Sequence, residues 1–254
     1  MKKLIITLFM ALLPLGTYAQ KIEKIYEEAS IHYNNQNYSK AIPLFEKCIQ
    51  KKYFLDGDIY VWLYESYKAI DNAEKGSIYI YEGIKVFPDN FYLNTYAANI
   101  CLESNDNINA INYLNKAISL DQDNASLFYL KGNALMALGE IDVALHTYRQ
   151  CSDVDAGYEF GYIAIGLYYY EKAVAITEQG MPDTISKDLK EALIHSAESF
   201  DASFSITKDY QLKISLSEYL MNIYNTLSYY LPDSLEYKEK YEYFYSFFNN
   251  GGLE

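Results

Sequence analysis

The chain has 254 residues, half of them hydrophobic and 29 of them tyrosine, and carries a formal charge of −13. That length supports a sizeable core, and that charge excludes the basic footprint that nucleic acid demands. Its three cysteines, Cys48, Cys101 and Cys151, are far apart and show no metal-ligand spacing, so free buried thiols behaving as small hydrophobes are expected.

The chain opens Met1-Lys2-Lys3, runs apolar from Leu4 to Leu15, and gives Thr17-Tyr18-Ala19 before Gln20. Two basic residues, an apolar run and small residues before a cut describe a secretory signal peptide, residues 1–19, removed after Ala19. A membrane anchor is the other reading, but the run falls short of the roughly 20 residues that span a bilayer. With no other long apolar run, no membrane span is expected after removal, and the chain is expected to be exported, periplasmic or extracellular. Loss of Lys2 and Lys3 takes the formal charge from −13 to −15, which serves solubility and would suit a basic partner without requiring one.

A first helix–turn–helix stretch runs from about Ile22 to Leu55, with Ala29, His32, Ala41, Phe45 and Cys48 on its apolar faces and Asn34-Asn35-Gln36-Asn37 as its turn. A second runs from about Gly57 to Asn90 and closes at Pro88-Asp89-Asn90, where proline cannot continue a helix. Tyr64 stands in it where the neighbouring stretches carry a small residue; Gly76 is expected across the hairpin as the compensating small partner. From Phe91 to Tyr158 two stretches repeat on a fixed period. Ala98 recurs as Gly132, Ala110 as Ala144 and Ala117 as Cys151, each 34 residues on, and apolar positions follow: Ile111 with Leu145, Leu114 with Tyr148, Leu120 with Val154. Small residues meeting at the same place let two antiparallel helices approach closely; a larger one would overpack them at about 1–3 kcal/mol.

These residues resemble the tetratricopeptide repeat, a helix-turn-helix of about 34 residues. The resemblance implies an all-α fold, an α-solenoid of about five to six such repeats forming a right-handed superhelix. Residues 20–158 read as four repeats, 159–248 as degenerate longer helical hairpins and a carboxyl-terminal cap, and 249–254 as a flexible tail. The fifth repeat starts on schedule, with Gly166 lying 34 residues after Gly132, and its first helix then continues to about Glu178. After the turn Gly180-Met181-Pro182-Asp183 a second helix is expected from about Thr184 to Ile206, capped by Asp183 or Thr184. This hairpin, roughly 18 residues longer than the family unit, reads either as a capping hairpin or as an insertion on a binding face. A last pair spans Tyr210 to Phe248, broken at Leu231-Pro232-Asp233-Ser234. In the final helix Tyr237, Tyr241, Phe244, Tyr245 and Phe248 are expected to be buried, with Tyr243 and Phe247 exposed. An aromatic outer face there suggests a contact, with a homodimer as one candidate.

No catalytic constellation, metal site or cofactor motif is found, so an enzyme is not expected. His32, His146 and His195 are isolated, and Asp121-Gln122-Asp123-Asn124 lacks the glycine and terminal glutamate of a calcium loop. The resemblance places ligand contacts on the first helix of each repeat. Carried onto this chain they fall on Tyr26, Ser30 and Tyr33, then Val61, Glu65 and Lys68, with Trp62 nearby. The later repeats give Tyr92, Thr95, Asn99 and Leu102, then Tyr129, Asn133 and Met136, then Phe160, Ile163, Leu167 and Tyr170. Tyrosine offers a rigid face with a polar tip, and asparagine can bond an extended backbone. Tyr26, Tyr33, Tyr92, Asn99, Tyr129, Asn133, Met136 and Tyr170 are therefore singled out as a ligand groove. Chaperone-binding members of the family clamp a peptide carboxylate with basic residues. Here Asn99 and Asn133 match the amide part, but Lys68 alone is available for the basic part, so that function is not carried over. The expected function is a protein-binding scaffold or adaptor of the cell envelope. The alternative is a carbohydrate- or cell-wall-associated binding protein, since aromatic faces also stack on sugars.

Overall fold

The computed structural model describes residues 20–54, 56–178, 180 and 183–251; the expected signal peptide, 1–19, lies outside them, as do Met181 and Pro182 of the expected turn. The described residues form helices without strands. The first, α1, occupies residues 20–34. It is followed by α2 (Tyr38–Gln50), α3 (Asp58–Lys68), α4 (Ala73–Val86), α5 (Phe91–Glu103) and α6 (Asn107–Leu120). The rest are α7 (Ala125–Ala137), α8 (Ile141–Val154), α9 (Glu159–Thr177), α10 (Lys187–Ile206), α11 (Tyr210–Tyr230) and α12 (Leu235–Asn249). From α3 onward each odd helix pairs with the even helix that follows it, and the fold is an α-solenoid of helical repeats. The chain divides into two compact units, one through Asp121 and the other from Gln122.

One backbone device closes the first four hairpins. Gln36, Asp71, Asn105 and Gly139 adopt left-handed φ values of 58°, 58°, 59° and 78°. The next amide in each case returns to the carbonyl five residues back: Asn37 to His32 (2.8 Å), Asn72 to Tyr67 (2.9 Å), Asp106 to Cys101 (2.8 Å) and Glu140 to Leu135 (3.0 Å). This is the bond that satisfies orphan carbonyls at a helix end, and it recurs on the period of the repeat.

The small positions do what the period implies. Ala98, Ala110, Ala117, Ala144 and Cys151 are fully buried. A Cβ on Gly132 would overlap the Tyr148 ring, so that ring lies directly on the α7 backbone. Tyr64 and Gly76 are in contact as expected: a Cβ on Gly76 would sit 3.1 Å from the Tyr64 ring. The three cysteines are buried and free, and burial pushes the Cys48 thiol up to about 11 and Cys151 to about 12.

In the second compact unit the schedule lengthens. Gly132 meets a ring 16 residues on, Tyr148, whereas Gly166 meets one 34 residues on, Phe200, so the α9–α10 hairpin is longer by 18. A Cβ on Gly166 would come 2.6 Å from that ring, and Ser196 donates to the Gly166 carbonyl at 2.9 Å. The helix α10 starts at Lys187, not near Thr184, because Ser186 is the cap: its hydroxyl accepts from the Leu189 amide at 3.1 Å. The buried face of α12 also differs from expectation. Phe244 and Phe247 are buried while Tyr243 and Tyr245 are exposed. Phe204 of α10 reaches under α12 and takes both Phe rings edge-on, at 5.3 and 5.1 Å, which turns the stripe toward Phe247 and leaves Tyr245 outside. Asp201 of α10, Tyr224 of α11 and Lys240 of α12 complete that junction. Tyr224 and Lys240 each donate to the Asp201 carboxylate, at 2.6 and 2.7 Å. His32 is half-buried rather than packed in the core, with its Nε2 4.0 Å from Glu28.

Candidate functional site

In the second compact unit the residues carried over from the repeat pattern converge. Tyr129, Asn133 and Met136 occupy one face of α7, four and three residues apart, as helical geometry requires for neighbours on a face. Ile163 and Leu167 occupy the opposing face of α9. Together they border a cleft of about 220 Å³, whose further walls are Tyr148, Ala164, Tyr168 and Glu171. Tyr148 forms the floor. Its hydroxyl donates to the Asn133 side-chain carbonyl at 2.7 Å, which leaves the Asn133 amide N–H groups as the donors for a ligand. Burial raises the Tyr148 pKa, so the hydroxyl stays protonated and the bond persists. Tyr129 is held by rings around it, with centroids 6.1 Å from Tyr148, 6.2 Å from Tyr158 and 5.8 Å from Phe160. It is therefore a fixed wall rather than a swinging side chain.

Tyr170, the next residue singled out, faces the other side of α9. It borders a cleft of about 280 Å³ with Ser215, Glu218, Tyr219 and Asn222, all from α11. Tyr219 stacks on Phe200 at 4.9 Å and meets Tyr170 edge-on at 5.0 Å. Below it, a smaller apolar cavity of about 130 Å³ continues between α9, α10 and α11 past Ala173, Leu193 and Ile223.

In the first compact unit the residues singled out lie differently. Tyr33 stacks on Trp62 at 5.7 Å, and Tyr26 lies 6.0 Å from the same indole. The Tyr33 and Tyr96 hydroxyls donate to the two oxygens of the Glu65 carboxylate, which ties α1, α3 and α5 together. Burial first, then Asp56, pushes Tyr26 up to about 12. Lys68 pairs with Glu103 at 3.1 Å. Tyr92 and Asn99 are exposed on α5. So Tyr26 and Tyr33 are joined by packing, Tyr129, Asn133 and Met136 by a cleft, and Tyr170 by the adjoining cleft.

The repeat pattern did not single out Tyr168, Glu171 or the α11 set. Ser215, Glu218, Tyr219 and Asn222 do share a face at helical spacing, which is a signal, but it lies beyond the point where the period holds. Among the described residues no group of histidine, cysteine and carboxylate side chains could hold a metal ion, and no helix is long and apolar enough to cross a membrane.

Residues 98–139 match the family model described as TPR repeat, and residues 125–158 that described as Tetratricopeptide repeat. No curated protein matches the chain. Among solved structures the chain is similar to "MamA MSR-1 C2", at 18% identity and a TM-score of 0.54 over 74% of this chain and 99% of that one. It is also similar to "Crystal structure of MamA protein", at 16% identity and a TM-score of 0.57 over 71% and 91%. At these identities the likeness is one of fold.

Proposed function

We propose that this chain, a member of the tetratricopeptide-repeat family, is a non-enzymatic scaffold of the cell envelope that holds an extended segment of a partner protein across the cleft between α7 and α9. The observation that carries this reading is the meeting of Tyr129, Asn133 and Met136 with Ile163 and Leu167 around one opening of about 220 Å³. Fixed aromatic and aliphatic walls exclude water from an apolar side chain, and the Asn133 amide can donate to an extended backbone. The envelope location rests on the sequence of residues 1–19. A carbohydrate reading is weaker: it wants a flat ring face free to stack, whereas the rings against Tyr129 meet it at 41° to 65° and are packed on it.

The test is capture from the native cell envelope, with the chain from Gln20 onward as bait beside the same bait carrying Tyr129→Ala and Asn133→Ala, read by mass spectrometry. A partner protein lost from the double variant supports the cleft. Equal recovery of every partner on both baits sinks it. Recovery of the chain itself alone points instead to self-association, with the exposed Tyr243 and Tyr245 of α12 as the first surface to alter. The amino terminus of the chain recovered from the host tests the export reading: Gln20 supports it and Met1 refutes it.

A further inference from the structure

The two clefts flanking α9 share a charge pattern. Among the described residues, Glu171 is the one charged side chain bordering the α7–α9 cleft, and Glu218 the one bordering the α9–α11 cleft. The lysines of these helices are placed elsewhere. Lys213 lies over the Phe204 ring, 5.1 Å from its centroid, and Lys131 and Lys172 border neither cleft. Both openings also present tyrosine: Tyr129, Tyr148 and Tyr168 in one, Tyr170 and Tyr219 in the other. A carboxylate beside ring faces attracts a cation twice over, by charge and by the ring quadrupole.

The clefts differ in what else they offer. Met136, Ile163 and Leu167 make the first mostly apolar, and its volume of about 220 Å³ exceeds the roughly 150 Å³ that accepts a benzene ring in an engineered cavity. Ser215 and Asn222 make the second polar. Neighbouring packed helices lie about 10 Å apart, and an extended chain advances about 3.3 Å per residue. A segment crossing α9 therefore sets its two anchors about three residues apart.

From this we infer that the partner segment is basic as well as apolar: a bulky apolar or aromatic side chain seated between α7 and α9, and a lysine or arginine about three residues away paired with Glu218 between α9 and α11. The inference rests on the peptide-binding reading above and adds the chemistry of the ligand. It is opposite in charge to a carboxylate clamp, and it suits a chain of net charge −13.

The probe is a fluorescein-labelled dodecapeptide of glycine and serine holding one phenylalanine and one arginine three residues apart. Its controls carry glutamate for the arginine, or serine for the phenylalanine. Binding is followed by anisotropy at low and high salt. The basic peptide is expected to bind about tenfold more tightly than the glutamate control. Glu218→Gln, a conservative change at an exposed site, is expected to weaken the basic peptide about threefold to tenfold and to flatten its salt dependence. If the glutamate control binds as well as the basic peptide, or Glu218→Gln changes nothing, the charge inference is overturned. The cleft reading then still stands provided Tyr129→Ala weakens both peptides. Peptides indifferent to Tyr129→Ala and Asn133→Ala would overturn both. If no peptide binds, the charge inference falls and the cleft is judged by capture alone.

Discussion

Gly132 and Gly139 are both glycine, for different reasons. A Cβ at Gly132 would enter the Tyr148 ring, whereas one at Gly139 would find no atom within 4 Å, but the backbone there has a φ of +78°. Gly132→Leu or Gly132→Ala is therefore expected to cost about 1–3 kcal/mol through overpacking, and Gly139→Ala about 1 kcal/mol through backbone strain. Denaturant unfolding measures both, and a second change separates them. Tyr148→Leu should recover part of the Gly132→Ala loss and none of the Gly139→Ala loss; no loss at Gly132 would mean that α7 and α8 are not in register as described. Glu46 gives a prediction in pH. Burial works against its charged form, but the hydroxyls of Tyr67 (2.5 Å) and Tyr79 (2.8 Å) and the Lys75 ammonium (3.3 Å) outweigh it and hold the carboxyl below its ordinary 4.5. A depressed folded-state value stabilises above the unfolded value and is lost as pH falls through the folded one. Wild type should therefore exceed Glu46→Gln in stability at about pH 7, and the gap should close below about pH 4. A gap independent of pH would assign Glu46 a packing role alone.

The recurring left-handed turn decides where each first helix stops. Three of its four positions, Gln36, Asp71 and Asn105, are not glycine, although each has a φ near 58°. Replacing Gln36 by glycine should relieve that strain and raise stability by about 0.5–1 kcal/mol, read as a shift of the unfolding midpoint; Asp71 offers the same test. No gain at either would mean that their side chains offset the strain by contacts of their own. This turn was hard to read from sequence for the same reason: a glycine signal exists at Gly139 and is missing at the other three. The small positions were easy to read, because Ala98 with Gly132 and Ala117 with Cys151 have no use except close approach. Tyr129, Asn133 and Met136 were legible through the repeat that carries them. Glu218, Tyr219 and Asn222 were not, because the 18 added residues of the α9–α10 hairpin move α11 off any fixed period, and a periodic argument cannot cross an insertion. The buried stripe of α12 was misread in part because its neighbour, Phe204, lies more than thirty residues upstream, and a helix alone does not say which aromatic residue another helix will reach.

At the scale of the whole molecule, stability in a stacked array is carried by neighbours. Within each compact unit a repeat rests on its neighbours in sequence, so a defect should stay near its origin. Each compact unit has its own buried cluster, around Phe45, Leu63 and Ile80 in the first and around Phe200, Leu220 and Ile223 in the second. Gly166→Leu tests whether they respond separately. The substitution drives a side chain into Phe200, which also supports Tyr219 in the α9–α11 cleft. The expected result by hydrogen exchange is about tenfold or greater acceleration in α9 and α10, with protection in α3 and α4 unchanged. Uniform acceleration through α3 and α4 would mean instead that the array unfolds as one cooperative body. The same experiment bears on ligand capture. A cleft whose walls belong to α9 should lose affinity for the arginine-bearing peptide as α9 loosens, even though Glu171 and Glu218 are untouched, because a carboxylate recognises a cation cheaply only when the rings and helices that aim it are already in place.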